Sequence, residues 1–235
     1  MSQLIGVVGA QGTGKSTGIH ANEELGIRGL DPKKTIIINI AGKPLPFRGW
    51  KKFYTPFEGT TGNFLVESRA EHIIKALRYI NDSRTEIINI IIDDAQYLMS
   101  FEFMEKALRK DWDKFNEIGK HAFDTFNIAR KLREDIKVFV LTHADEIQKD
   151  FETVRKIKTI GKMMDNIIDL EGLFLVVLYT KVNWDSKAEK GEYLFITNRT
   201  NEYPAKSPVG MFKDIKIPND LGLVAELIDK YNEDE

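Results

Sequence analysis

Close to the start of the chain, Gly9-Ala10-Gln11-Gly12-Thr13-Gly14-Lys15-Ser16 matches the pattern G-x-x-x-x-G-K-[ST] at every position. The pattern has a physical basis. Glycines let the backbone curl until successive N–H groups face one concavity, which suits a phosphate. The context is also present: residues 3–8 form an apolar run ending at the glycines, and residues 15–25 read as a helix. The N-terminus of such a helix adds a favourable field for an anion. Gly9, Gly12, Thr13, Gly14, Lys15, Ser16 and Thr17 are therefore the candidate phosphate contacts. Lys15 brings a point charge to the β- and γ-phosphates, and the Ser16 hydroxyl suits Mg2+.

Strand-like and helix-like stretches alternate along the rest of the chain, which predicts an α/β fold: a mostly parallel sheet flanked by helices. Residues 35–40 ("TIIINI") and 87–92 ("IINIII") are nearly unbroken apolar runs, as expected for strands buried on both faces. Residues 41–63 read as irregular, with a short strand at 53–55. Ser68-x-x-Glu71 reads as a capping box opening a helix whose apolar positions are Ala70, Ile73, Ile74, Leu77 and Ile80. Met104, Leu108, Trp112, Phe115, Ile118, Ala122, Phe126 and Ala129 are three or four residues apart, which predicts one stripe of a long helix. Residues 137–141, 173–179 and 192–197 read as strands, 150–170 as helical or mixed, 204–212 as turns and 221–231 as a helix.

Two acids end the 87–92 strand. A carboxylate at the end of a strand adjacent to the phosphate loop reaches the magnesium shell, and Asp93 takes that role. Asp94 has two readings: general base for an attacking water, or cap of the following helix. Thr142 and His143 end the 137–141 strand. Strand C-termini gather at one sheet edge, so Thr142 is a candidate γ-phosphate sensor, and His143 is either a second one or a loop histidine.

Composition narrows the functions. The chain has 235 residues, of which 42% are hydrophobic, enough for one α/β domain with a substantial core. The formal net charge of −2 leaves room only for a local basic patch, not a polycation. With no cysteine there is no disulfide and no thiolate chemistry, which fits a reducing cytosol. No signal-like segment or long apolar run suggests a membrane, so a soluble, cytoplasmic protein is expected.

In this order, a phosphate loop, a second strand, a helix, the "IIIDDAQ" strand end, a long helix, a polar-ended strand and a closing C-terminal strand pair, the chain resembles the RecA-like core of P-loop ATPases. Residues 193–212, "YLFITNRTNEYPAKSPVGMF", are similar to those of small phage-encoded ATP-binding proteins related to RecA/Rad-type recombinases, which include single-strand annealing proteins. The resemblance spans about residues 3–212 of a single domain over 1–235, with 213–235 as a C-terminal helix and acidic tail. It implies ATP and Mg2+ as cofactors, a homo-oligomer hydrolysing ATP at its interfaces, and a host cytoplasm. RecA itself carries a catalytic glutamate after the second core strand, where this chain has Ala41-Gly42-Lys43. The base then shifts to Asp94, an arrangement nearer AAA-type enzymes, although no room for their helical lid remains after Phe212.

The resemblance also implies single-stranded DNA as a partner, held by loops following the two strands beyond the metal-binding one. Lys149, Arg155, Lys156, Lys158 and Lys162 form one candidate patch; Lys181, Trp184 and Lys187 belong to a second, in the connection over 181–191. Basic residues attract the phosphate backbone, and an exposed tryptophan stacks on bases. The plainer readings are a solvated helix face and a decorated hairpin. Arg199 and Lys206 are candidates for the cation that a neighbouring subunit inserts toward the γ-phosphate, with a surface pair between Arg199 and Glu202 as the alternative. Three functions follow: DNA recombination or annealing, a helicase loader or other replication factor, and a non-hydrolysing nucleotide switch. A GTPase fits less well, because Thr180-Lys181-Val182-Asn183 ends in Asn where a guanine-reading carboxylate belongs.

Overall fold

The computed structural model describes residues 1–149, 152–160, 170–187 and 189–233. Its strands are β1 (Gln3–Gly9), β2 (Thr35–Asn39), β3 (Phe64–Val66), β4 (Asn89–Asp93), β5 (Lys137–Lys149), β6 (Glu152–Ile157), β7 (Val176–Asp185), β8 (Lys190–Ile196) and β9 (Lys216–Pro218). The helices are α1 (Ala70–Ser83), α2 (Gln96–Glu105), α3 (Asp113–Ala129) and α4 (Leu221–Glu233). The sheet runs β3-β2-β4-β5-β1-β7-β8-β9, with β6 paired to the far part of β5. All pairings from β3 to β7 are parallel; β8 and β9 close the sheet antiparallel. The expected α/β architecture, closing strands included, is the one found.

The unbroken apolar strands are explained by the two packed faces. Leu4, Ile36, Ile38, Ile90, Ile92 and Val138 face α1, α2 and α3, meeting Ile73, Leu77, Leu98, Ile118 and Phe126. Their alternates Ile5, Ile37, Ile91, Phe139 and Leu178 face Tyr54 and the α4 residues Val224 and Ile228. Burying each such side chain stabilises the fold by roughly 1.5–3 kcal/mol.

Several local expectations need correction. Residues 15–25 are not an α-helix: a single 3-10 turn, Thr17–Ile19, is followed by a turn closed by the Asn22–Ile27 bridge. Ser16, Thr17, Gly18, Ile19 and Asn22 are all poor helix formers, and Gly18 packs against Asn219. The chain then docks on α4. Asp220 Oδ1 accepts from Gly222 and Leu223 at the start of α4 and from Gly29, and Oδ2 accepts from Arg28.

β4 is not adjacent to β1; β5 lies between them. The long helix is two, interrupted after Glu105, where Leu108 is 97% exposed and Met104 and Trp112 also face solvent. Asp111 accepts from the Lys114 amide and pairs with Arg109, so this charged turn restarts the chain as α3. The Ser68–Glu71 box does not form either. Glu67 Oε1 instead accepts from the Ser68 and Arg69 amides. The short strand expected at 53–55 is replaced by a 3-10 turn at Trp50–Lys52, and the strand lies later, at β3. Within 150–170, the described 152–157 stretch is a strand rather than a helix, and 161–169 lies outside the described residues. The 181–191 connection is mostly strand, β7 running to Asp185 and β8 starting at Lys190. Among the described residues, no helix is long and apolar enough to cross a membrane.

Candidate active site

β1 delivers the glycine turn to the C-terminal edge of the sheet, with Gly9 in register with His143 of β5. Gly9 admits no side chain, because a Cβ there would lie 1.7 Å from Thr180 Oγ1. Gly14 has φ +85°, and its Cβ would lie 2.8 Å from the Tyr193 ring. Thr13 Oγ1 donates to the Ala10 carbonyl (2.7 Å) and lies 2.6 Å from Thr180 Oγ1, tying the turn to β7. Lys15 folds over the turn, its Nζ donating to the carbonyls of Gly9 (3.0 Å) and Ala10 (2.7 Å). Burial lowers its pKa to about 8, against the opposing pull of Asp94 and Asp93.

Asp93, at the end of β4, comes beside this turn although its strand is one removed. Ser16 Oγ donates to Asp93 Oδ1 at 2.9 Å and lies 3.2 Å from Oδ2. Burial first, and the Asp94 charge second, raise the Asp93 pKa to about 6, while the Ser16 bond opposes the rise. A hydroxyl and a carboxylate converging beside a phosphate turn are hard oxygen donors. They fit Mg2+, which takes few protein ligands and completes its shell with water and phosphate. Among the described residues no cluster of three or more His, Asp or Glu offers another metal site.

Asp94 adopts φ +58°, a left-handed conformation uncommon for a residue with a side chain. Its carboxylate does not take the first backbone N–H groups of α2. Oδ2 accepts from Lys43 Nζ (3.0 Å), Oδ1 accepts from Gln96 Nε2 (3.1 Å), and His143 Nε2 stands 3.7 Å from Oδ1. Gln96 Oε1 in turn accepts from the His143 amide (3.2 Å), linking the start of α2 to β5. The His143 pKa is lowered, chiefly by burial and then by Lys15. Thr142 is buried in register with Val8, but it and His143 do not end the strand as expected: β5 runs on to Lys149, where residues 144–149 pair with β6. Sequence reasoning missed Lys43 and Gln96. Neither the "AGK" after β2 nor the Gln of "DDAQ" carries a local pattern that points to Asp94 or His143.

On the other flank of Gly14 lies a cavity of about 540 Å³. Trp184, Tyr193, Leu25, Ile27 and Asn219 are among its lining residues. Asn219 is buried between Gly14 and Gly18, and among the described residues its side-chain Nδ2 and Oδ1 find no hydrogen-bond partner.

The remaining candidates are dispersed. Arg155 on β6 bonds Glu146 and stacks on Tyr203, where Lys181 also arrives, paired with Glu202. Trp184, three residues along β7 from Lys181, lines the cavity, whereas Lys181 turns to Glu202 and Tyr203. Lys158 and Lys187 are exposed, and Lys156 is half-buried on β6. The Lys149 backbone ends β5, and Lys162 lies outside the described residues. Arg199 is exposed just beyond β8. Lys206 Nζ donates to the Glu171 carbonyl (2.6 Å), and its backbone bridges Val177.

No family model matches the sequence, and no curated protein matches it either. Among solved structures, the chain is similar to a KaiC-like protein from the hyperthermophilic archaeon Pyrococcus horikoshii, at 11% identity and a TM-score of 0.45. The match covers 92% of this chain and 84% of that one. The architecture described above rests on strand order and register, not on this likeness.

Proposed function

We propose that the chain is a Mg-ATP-binding P-loop ATPase. The observation that carries the reading is the hydrogen bond between Ser16 and Asp93, which joins the phosphate turn to a buried carboxylate across 77 residues of sequence. In this reading the turn's amides and Lys15 hold the β- and γ-phosphates, and Ser16 and Asp93 hold Mg2+, which supplies charge neutralisation when bound. Triphosphate entry breaks the Lys15 contacts with Gly9 and Ala10 and gives its ammonium an anion instead. Asp94 accepts the proton of a water whose oxygen bonds to the γ-phosphorus. The bond to the bridging oxygen breaks, and ADP and phosphate leave. Gln96 orients Asp94, and Thr142 and His143 face the same edge as sensors.

The cavity beside Gly14 takes the nucleoside, with Tyr193 and Trp184 as stacking surfaces. Adenine is favoured over guanine because Thr180 is engaged with Thr13 and Lys181 with Glu202, leaving no guanine-reading set at 180–183.

The biological task we infer is DNA recombination or single-strand annealing by a homo-oligomer, with ATP controlling single-stranded DNA binding. It rests on the resemblance of residues 193–212; the β5–β6 hairpin adds no surplus of positive charge, because Asp145, Glu146, Asp150 and Glu152 offset Lys149, Arg155 and Lys156. Arg199 and Lys206 remain candidates for the neighbour's cation. ATP turnover measured with and without single-stranded DNA, at two salt concentrations, tests this. Stimulation that fades steeply with salt supports it. Turnover indifferent to DNA but raised by a helicase favours a loader, and tight ATP binding with negligible turnover favours a switch.

A further inference from the structure

Lys43 is a second cation at this edge, besides Lys15. It leaves β2 on the turn Ala41-Gly42-Lys43, beside the end of β4, where Asn39 and Asp93 are in register. That turn is held rigidly. The buried Asn39 side chain accepts from the Gly42 amide (2.9 Å) and donates to the Lys43 carbonyl (2.6 Å), and Gly42 takes φ +67°. From this anchored start the Lys43 side chain reaches Asp94 Oδ2 at 3.0 Å and lies 4.8 Å from the Tyr97 ring centre. The side chain is 53% exposed, so it has room to move; Asp94 is much less so.

Charge accounting shows what this pairing does. Lys15 and Lys43 balance Asp93 and Asp94, and both lysines feel Asp94. With a triphosphate bound, Asp93 would serve the metal and Lys15 the phosphates, which would leave Asp94 facing a new anion. Two like charges at close range in a partly buried site are costly unless a cation intervenes. A carboxylate locked to an ammonium is also a poor proton acceptor. One movement of Lys43 relieves both problems, and a four-carbon stem with a compact charge suits it.

We propose that Lys43 is the γ-phosphate-responsive cation of this site: on triphosphate binding its ammonium leaves Asp94 for the terminal phosphate, freeing Asp94 to accept the proton of the attacking water. The proposal rests on the nucleotide reading. It gives the chain, in cis, a charge of the kind otherwise expected from a neighbouring subunit. It also makes ATP, and not ADP, the ligand that unlocks Asp94.

The test uses the full chain and the variants Lys43→Ala and Lys43→Arg. Affinities for ATP and ADP are measured by calorimetry in Mg2+, together with turnover. For Lys43→Ala the expected result is a loss of about tenfold or more in ATP affinity, the size of one charged hydrogen bond, with ADP affinity unchanged. Turnover falls as well, and Lys43→Arg restores part of both. Turnover that rises in Lys43→Ala makes Lys43 a mere restraint on Asp94 and overturns the proposal. Unchanged values make it a surface ion pair, and equal losses for ATP and ADP make it structural; both also overturn it. Wild-type protein that binds neither nucleotide contradicts the nucleotide reading itself, an outcome distinct from these.

Discussion

The Ser16 hydroxyl donates to Asp93 at 2.9 Å, although β5 separates their strands in the sheet. The contact spans that strand because the turn after β1 projects over the sheet edge. It leaves Asp93 almost wholly buried, which raises its pKa.

That burial has a pH signature. Asp93 is raised from its ordinary 3.8 to about 6. The folded chain therefore binds this proton more tightly than the unfolded chain, and the stabilisation it brings is lost as pH rises from about 4 through 6. At neutral pH the ionised group costs roughly 3 kcal/mol, at 1.36 kcal/mol per pKa unit. Urea denaturation in chelator should show Asp93→Asn more stable than wild type at pH 7.5, with the gap closing toward pH 4. A gap that widens on acidification contradicts the assignment.

Much of this edge was legible in sequence, and the reasons are physical. Two-sided burial leaves unbroken runs such as "TIIINI" and "IINIII", and the strand end carrying Asp93 follows from them, whereas the strand bearing Thr142 runs on to Lys149 through its pairing with β6. Helix periodicity misled where charge broke it: Leu108 keeps the spacing, but Arg109 and Asp111 turn the chain. Lys43 meets Asp94 and Gln96 meets His143 across about half a hundred residues of sequence, which no local pattern records. The helix expected after the phosphate turn fails for the opposite reason. Its local residues, Gly18 and Asn22 among them, are poor helix formers, although the phosphate-loop pattern ordinarily opens a helix.

The glycine turn makes a packing prediction. Gly9→Ala drives its methyl into Thr180 Oγ1 and should cost about 1–3 kcal/mol, the usual range for overpacking. Thr180→Ala removes that oxygen, so the double variant should recover part of the loss in a denaturation measurement. Additive losses would mean that the two residues do not meet.

The cavity beside Gly14 makes a binding prediction. Tyr193→Ala should weaken ATP roughly tenfold, in line with about 1–3 kcal/mol for a lost stacking surface, and leave inorganic triphosphate unaffected. Competition binding with both ligands measures this. Equal weakening of the two would assign Tyr193 to the phosphate turn, which it also touches, and not to the nucleoside.

Asp94→Asn separates binding from chemistry. ATP affinity should survive within a few fold, while turnover falls by about 100-fold or more, the usual contribution of a general base. Single-turnover assays at saturating ATP read the second quantity directly. Retained turnover removes Asp94 from the proton transfer.

The central claim is that Ser16 and Asp93 hold one magnesium–triphosphate against the glycine turn. Calorimetry of ATP binding to wild type and Asp93→Ala, each in Mg2+ and in chelator, tests it most directly. The account predicts one ATP per chain for wild type in Mg2+, much weaker binding in chelator, and no magnesium enhancement in Asp93→Ala. Equal affinity with and without Mg2+ in wild type, or an undiminished enhancement in Asp93→Ala, contradicts it.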